Sequence, residues 1–324
     1  MTDNIEGDQA FRSPQLAGRD LEMTFGGAVS FLRRNYTRDL SQADIAVTGI
    51  PFDMATSNRP GARFGPRGVR AASVGLAELL AYPWGFDPFE TVGVADYGDC
   101  FIDYGHPEQA PARIEAHAKE ILDTDTMMLS IGGDHYVTYP LLRAHAQKFG
   151  PLSLIHFDAH CDTWDDDPGR LDHGSMFLRA LREGIIVPER SVQIGLRTYN
   201  SETYGFTILG APWVHREGIP AVLDVVRDIV GDNTAYLTFD IDCLDPAFAP
   251  GTGTPVSGGL STAQGLEAIR GMGEFNIVGM DVVEVAPIYD VSEITALAGA
   301  TLLHDFICVQ AAKAGAETQP YGRQ

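Results

Sequence analysis

The sequence predicts an α/β protein, a buried parallel sheet covered by helices on both faces. Three observations predict it. Near-continuous apolar runs of strand length recur along the 324 residues. Helical periodicities fill the intervals between them. Acidic and imidazole groups gather directly after several of the runs. Strands buried on both faces read as unbroken apolar segments, and their alternation with helices is the pattern of parallel crossovers. In open sheets of this kind ligands bind beyond the carboxyl ends of the strands.

In chain order, the strand-like runs are 45–49, 91–94, 127–131, 152–157, 192–195, 235–239 and 276–283. Between them, Ile114, Ala118, Ile121 and Leu122 fall at i, i+4, i+7 and i+8, and Val222, Val225, Val226 and Ile229 at i, i+3, i+4 and i+7. Both spacings put one apolar stripe on a helix. Residues 137–148, 263–272 and 292–312 also read as helices, and Pro66 sits near the start of another. The Gly-rich segments 58–66 and 249–255 match neither a Walker loop nor a dinucleotide fingerprint, and are expected to shape the mouth of a site.

The chain is 44% hydrophobic, enough for a large core. No linker, charge block or composition shift divides it, so one catalytic domain is expected over residues 25–313, between a polar arm, 1–24, and a polar tail, 314–324. A formal net charge of −21 argues against nucleic acid and anionic membrane surfaces and suits a small cationic partner. No uninterrupted apolar stretch approaches the roughly 20 residues of a membrane span, and residues 1–20 hold no signal core. Cys100, Cys161, Cys243 and Cys308 have neither metal-site nor disulfide spacing. A cytoplasmic location with reduced thiols follows as the expectation.

The densest chemistry lies in Gly-Gly-Asp-His (132–135), Asp-Ala-His-Cys-Asp (158–162) and Asp-Ile-Asp (240–242), each closing an apolar run. Asp158, His160 and Asp162, and then Asp240 and Asp242, occupy alternate positions, so an extended segment would aim them one way. With His135 they make six candidate metal ligands. Four aspartates balance two divalent cations, and carboxylates with imidazole and no thiolate suit Mn(II) best. Cys161 is expected to face away into packing. His156 reads as a core histidine with a hydrogen-bond partner, and Asp281 and Asp245 as second-layer, capping or turn residues.

These residues resemble the ureohydrolases, the family of arginase, agmatinase, guanidinobutyrase, guanidinopropionase and proclavaminate amidinohydrolase. The matching motifs are Ser130-Ile-Gly-Gly-Asp-His135, His156-Phe-Asp-Ala-His-Cys-Asp162, His173-Gly-Ser, Leu237-Thr-Phe-Asp-Ile-Asp-Cys-Leu-Asp-Pro246, Ala249-Pro-Gly-Thr-Gly-Thr-Pro255 and Asp281-Val-Val-Glu-Val-Ala-Pro287. The resemblance covers roughly residues 25 to 313. Pro51-Phe-Asp-Met-Ala-Thr-Ser57, Tyr82-Pro-Trp-Gly-Phe-Asp87, Leu142-Arg-Ala-His-Ala146 and Ser292-Glu-Ile-Thr-Ala-Leu297 are most similar to the bacterial agmatinase branch. The resemblance implies a three-layer α/β/α sandwich around a mainly parallel eight-stranded sheet, assembled as trimers or hexamers. It implies two manganese ions per subunit. His135, Asp158, Asp162 and Asp240 would hold one, and Asp158, His160, Asp240 and Asp242 the other, so Asp158 and Asp240 would bridge. Glu284 would receive the guanidinium group, and His173 would shuttle a proton.

The chemistry is coherent on its own terms. A guanidinium is cationic and resonance-stabilised, so its hydrolysis needs a strong nucleophile near neutral pH. Metal coordination lowers the pKa of water toward about 7 in the best case, and a hydroxide shared by two ions would serve. The departing amine then needs a proton, which a histidine can deliver. For the substrate tail, the stretch Asp162-Thr-Trp-Asp-Asp-Asp167 lacks the Asn with which arginase-type members read an amino acid. Asp165, Asp166 and Asp167 would attract the ammonium of agmatine and repel a carboxylate. Hydrolysis of agmatine to putrescine and urea is the expected reaction, and a guanidinobutyrase or another guanidino-acid ureohydrolase is the alternative. A deacetylase-like enzyme with one zinc would not need six ligands.

Overall fold

The apolar runs become strands of one sheet in a computed structural model that describes residues 23–165, 167 and 169–319. Most of the expected polar arm and the end of the tail lie outside the described residues. In chain order the strands are β1 (Asn35–Tyr36), β2 (Ile45–Ile50), β3 (Val94–Asp99), β4 (Met127–Gly132), β5 (Ser153–Phe157), β6 (Val192–Leu196), β7 (Thr207–Gly210), β8 (Ala235–Asp240) and β9 (Ile277–Val283). They pair in the order β1-β3-β2-β4-β9-β8-β5-β6-β7, and every pairing is parallel. The sheet therefore has nine strands among the described residues rather than eight. The two that sequence patterning does not mark, β1 and β7, are the two edges, where short half-exposed strands need no apolar run. Nor does the expected run 91–94 coincide with its strand, which begins at Val94.

Among the described residues seven α-helices cover the sheet: α1 (Gly65–Ser73), α2 (Ala110–Leu122), α3 (Thr138–Phe149), α4 (Met176–Arg182), α5 (Ala211–Val230), α6 (Thr262–Arg270) and α7 (Ile294–Lys313). Alternate strand residues feed two cores, as the pleat requires. Val47, Leu129, Leu237 and Met280 pack with Val69 of α1, Val222 of α5, Ala268 of α6 and Leu302 of α7. Ala46, Met128, Leu154 and Tyr236 pack on the other face with Ile114 of α2, Leu141 of α3 and Phe177 of α4. The result is the expected α/β/α sandwich. By length and composition α7 could cross a membrane, with mean hydropathy 1.4, but 78% of that window is buried inside the fold, as suits a core helix.

One buried ion pair explains why β3 escapes a hydrophobicity reading. Asp96, fully buried in the strand, takes a two-pronged contact from Arg70 of α1, with Nε–Oδ2 at 2.8 Å and Nη2–Oδ1 at 2.9 Å. Such forks tolerate burial because geometry and hydrogen bonding offset desolvation, and removing one partner costs about 3–5 kcal/mol.

The register brings the carboxyl ends of β4, β9, β8 and β5 side by side. Asp240 pairs with Val283, and Phe157 with Phe239, so Asp158, Asp240 and Glu284 emerge at neighbouring strand ends. A loop after β2 is drawn against this edge by a close backbone contact. A Cβ on Gly133 would lie 1.6 Å from the Phe52 carbonyl oxygen, and the Asp134 N–H donates to that same oxygen at 2.7 Å. Only glycine permits that approach.

Candidate metal centre

Beyond the strand ends, the six ligand-type side chains meet. His135, in the short 3-10 turn after β4, holds its Nδ1 3.0 Å from Asp158 Oδ2, 3.0 Å from Asp162 Oδ2 and 3.2 Å from Asp240 Oδ2. Although buried, this nitrogen has no well-formed hydrogen bond. Three carboxylate oxygens around an unsatisfied imidazole nitrogen are the arrangement a cation would complete. A second group lies alongside: His160 Nδ1 is 3.2 Å from Asp158 Oδ1 and 3.2 Å from Asp242 Oδ2. Asp158 thus faces both groups with different oxygens. The donor set, carboxylate with imidazole and no thiolate, fits two hard or borderline divalent ions.

The convergence has a different cause from the alternation read in the sequence. Strand β5 ends at Phe157, and Asp162 adopts a positive φ of 52°. Strand β8 ends at Asp240, and Asp242 sits in a 3-10 turn whose N–H donates to Asp240 Oδ1 at 2.8 Å. Tight turns, not a continued pleat, aim these groups at one point.

The buried carboxylates and imidazoles perturb one another. Burial, reinforced by neighbouring carboxylates, pushes Asp162, Asp240 and Asp242 above the usual carboxylate range. Burial also opposes ionisation of Asp158, yet His135, His156 and His160 hold it well below that range. Conversely, burial disfavours a charged His160, but Asp242 and Asp158 drive it up to about 12.

The supporting layer fixes ring orientation. His135 Nε2 lies 2.9 Å from Thr238 Oγ1, which in turn donates to Asp281. Asp281 also accepts from Thr138 and Tyr236, both at 2.9 Å. His156 lies within reach of the first group but has both nitrogens engaged: Nε2 with Asp158 Oδ2 at 2.8 Å and Nδ1 with the Gln193 amide at 3.1 Å. It serves Asp158 as a hydrogen-bond partner. Cys161 is buried, with the Asn200 amide 3.4 Å from its sulfur.

Glu284 and His173 stand against this cluster. Glu284 follows β9 with φ of 62°, and its Oε1 accepts from the His135 backbone N–H at 2.9 Å and from His173 Nδ1 at 2.7 Å. Its Oε2 is buried without a partner. Burial opposes protonation of His173, but Glu284, then Asp134 and Asp162, raise it to about 9. A cavity of about 230 Å³ opens here, lined by Ser57, His160, Asp162, Trp164, Asp172, His173, Gly174, Asp240 and Thr254.

Asp165 and Asp167 lie elsewhere. Asp165 pairs with Arg182 at 2.9 Å, Asp167 accepts from the Gly169 N–H at 2.9 Å, and neither lines the cavity. Asp166 lies outside the described residues. The lining residues that sequence reasoning missed are Ser57, Trp164, Asp172 and Thr254. Ser57, Trp164 and Thr254 lay within the stretches 51–57, 162–167 and 249–255 without being singled out, and Asp172 directly precedes His173. The two Gly-rich segments do meet at the mouth, where Asn58 Nδ2 donates to the Gly253 carbonyl at 3.2 Å.

The chain matches the arginase family over residues 43–308. It is 57% identical over 316 residues to the agmatinase of Chromobacterium violaceum, covering 97% of this chain and 98% of that one. A crystal structure of a hypothetical agmatinase from Burkholderia thailandensis superposes with a TM-score of 0.94 at 58% identity, covering 95% of this chain and 98% of that one. Proclavaminate amidino hydrolase from Streptomyces clavuligerus gives a TM-score of 0.84 at 35% identity, covering 90% of this chain and 100% of that one.

Proposed function

The chain belongs to the arginase family and is a ureohydrolase, and from that premise we propose that it hydrolyses agmatine to putrescine and urea. The observation that carries the reading is Glu284 Oε2, a buried carboxylate oxygen without a partner beside the acid–imidazole cluster. A guanidinium edge supplies the N–H donors that such an oxygen lacks. The relatives named agmatinase favour this guanidine over others.

We assign His135, Asp158, Asp162 and Asp240 to one manganese ion, and Asp158, His160, Asp240 and Asp242 to the other. Bound there, the two ions supply the Lewis acidity that ionises water near neutral pH. The chain's own residues do the rest. Glu284 binds and orients the guanidinium through Oε2, while the His135 N–H and the His173 ring hold its other oxygen in place. His173 is close enough to the cavity to return a proton to the departing amine. The amine tail extends toward Trp164 and Asp172, whose aromatic face and carboxylate suit an ammonium better than a carboxylate. We assign the subunits to a cytoplasmic homotrimer or homohexamer. The exposed apolar side chains Phe248, Ile294 and Leu297 favour assembly, and four buried unpaired cysteines favour a reducing compartment.

The test is urea release by Mn(II)-loaded protein from agmatine, 4-guanidinobutyrate and arginine, assayed side by side. Agmatine is expected to give the highest kcat/KM. A preference for guanidinobutyrate would overturn the substrate while leaving the ureohydrolase assignment intact.

A further inference from the structure

We propose that Ser57 is a further catalytic residue, whose hydroxyl carries the proton between the His173 ring and the departing amine. The inference rests on the ureohydrolase reading above. Ser57 offers two groups to a single atom: its backbone N–H lies 3.0 Å from His173 Nε2, and its Oγ 2.7 Å from the same nitrogen. The opposite ring nitrogen, Nδ1, is 2.7 Å from Glu284 Oε1. An ionised carboxylate only accepts, so Nδ1 carries a hydrogen and Nε2 presents its lone pair. The backbone N–H only donates, which favours that tautomer whenever the ring is neutral. Of these three partners, the hydroxyl alone can both donate and accept. It can therefore follow the ring through a proton cycle.

Position points the same way. His173 is buried while Ser57 is exposed, and both line the cavity together with His160, Asp162 and Asp240. With Nδ1 turned to Glu284, a proton leaving His173 for the cavity departs from Nε2, where Ser57 Oγ stands. The loop that carries Ser57 is tied down on both sides. The Ala55 N–H donates to Asp134 Oδ2 at 2.8 Å, the His173 N–H to the Ala55 carbonyl at 3.3 Å, and the Gly61 N–H to Asp53 Oδ2 at 2.8 Å.

The transfer balances. Water oxygen ends on carbon as the urea carbonyl, and the two water hydrogens end on the amine, which departs as an ammonium. When the C–N bond breaks, its electron pair stays on nitrogen. Protonated His173 gives its Nε2 hydrogen to Ser57 Oγ as the Ser57 hydroxyl hydrogen passes to that nitrogen. His173 becomes neutral, and a proton from the attacking water restores it.

Ser57→Ala and Ser57→Thr, loaded with Mn(II), test this through kcat, KM, bound metal and the proton inventory in mixed H2O and D2O. Ser57→Ala should lose about 10²-fold in kcat, the lower end of general-acid effects, with KM within about twofold and metal content unchanged. Ser57→Thr keeps the hydroxyl and should recover to within about threefold of wild type. The wild-type inventory should show two protons in flight and the alanine variant one. Unchanged kcat in Ser57→Ala, or equal damage in both variants, would overturn the proposal, the second outcome meaning that Ser57 only packs the loop. A wild type that spares agmatine but cleaves another guanidine would overturn the substrate instead, and the variants would be compared on that guanidine. A wild type that cleaves none overturns both.

Discussion

Replacing Glu284 by Gln changes one atom at the place proposed to receive the guanidinium. In the wild type Oε1 already accepts two hydrogen bonds, from the His135 N–H at 2.9 Å and from His173 Nδ1 at 2.7 Å. Both donors require that the glutamine carbonyl take the Oε1 position. The amide NH2 is then forced into the Oε2 position and turns two hydrogens toward the substrate's own. A hydrogen bond to a charged group is worth about 1.5–3 kcal/mol, and an opposed buried donor costs about 1–3 kcal/mol more. Together these amount to about 2.5–6 kcal/mol, or roughly 10²- to 10⁴-fold in kcat/KM at about 1.4 kcal/mol per decade. The assay is initial-rate urea release across agmatine concentrations, with bound manganese measured on the same samples. Metal content should hold, because Glu284 is not in either ligand group. A variant within threefold of wild type in kcat/KM would refute the argument that Oε2 receives the guanidinium.

Manganese-loaded protein should carry about two ions per chain and lose activity on chelation. Asp158→Ala and Asp240→Ala should each depress occupancy of both sites by metal analysis, whereas loss of only one ion would remove the bridging assignment. Gly253→Ala should raise KM for agmatine about tenfold, since the new Cβ would lie 2.9 Å from the Arg59 carbonyl and 3.4 Å from Glu284 Oε2; an unchanged KM would put the guanidine elsewhere. Asp172→Asn should narrow the preference for agmatine over guanidinobutyrate more than Asp165→Asn combined with Asp167→Asn, and the reverse ranking in urea assays would restore the triplet as the tail site. Burial holds His117 and His145 down to about 4. The unfolded chain therefore takes up protons from about pH 6.5 downward that the folded chain refuses, and up to about 3 kcal/mol per histidine is lost by pH 4. Denaturant midpoints measured between pH 7.5 and 4.5 should fall more gently in His145→Gln, and an equal slope would contradict the burial argument.

The parallel sheet and the ligand segments were legible because both are written locally. An apolar run of five or six residues followed by an acid or a histidine needs no tertiary knowledge to be noticed. What escaped was written across the fold. Strand β3 contains Asp96, which is tolerable inside a sheet only because Arg70 reaches it from a helix 26 positions earlier. Trp164 and Ser57 come from segments more than a hundred positions apart and become neighbours only around one cavity. The Asp165–Asp167 run looked like an acidic mouth, yet Asp165 spends its charge on Arg182. Spacing picked out side chains that do converge while misjudging how they meet, because the backbone turns sharply at Asp162 and Asp242 where an extended chain was assumed.

The strand order has a consequence for how the chain is made. Strands β1 to β4 form one half of the sheet and β5 to β8 the other, and the only strand that pairs with both halves among the described residues is β9, which lies between β4 and β8. A nascent chain emerging from the ribosome has synthesised both halves before residues 277–283 exist to join them. Until that strand inserts, His135 belongs to one half and Asp158 and Asp240 to the other. The cation cluster therefore cannot assemble during most of translation. A chain stopped before β9 would hold fragments of both ligand groups on half-sheets that each expose an unpaired edge, the surface most prone to join the wrong neighbour. Assembly of the acid–imidazole cluster is thereby tied to β9, the last described strand to be made and the one that closes the sheet.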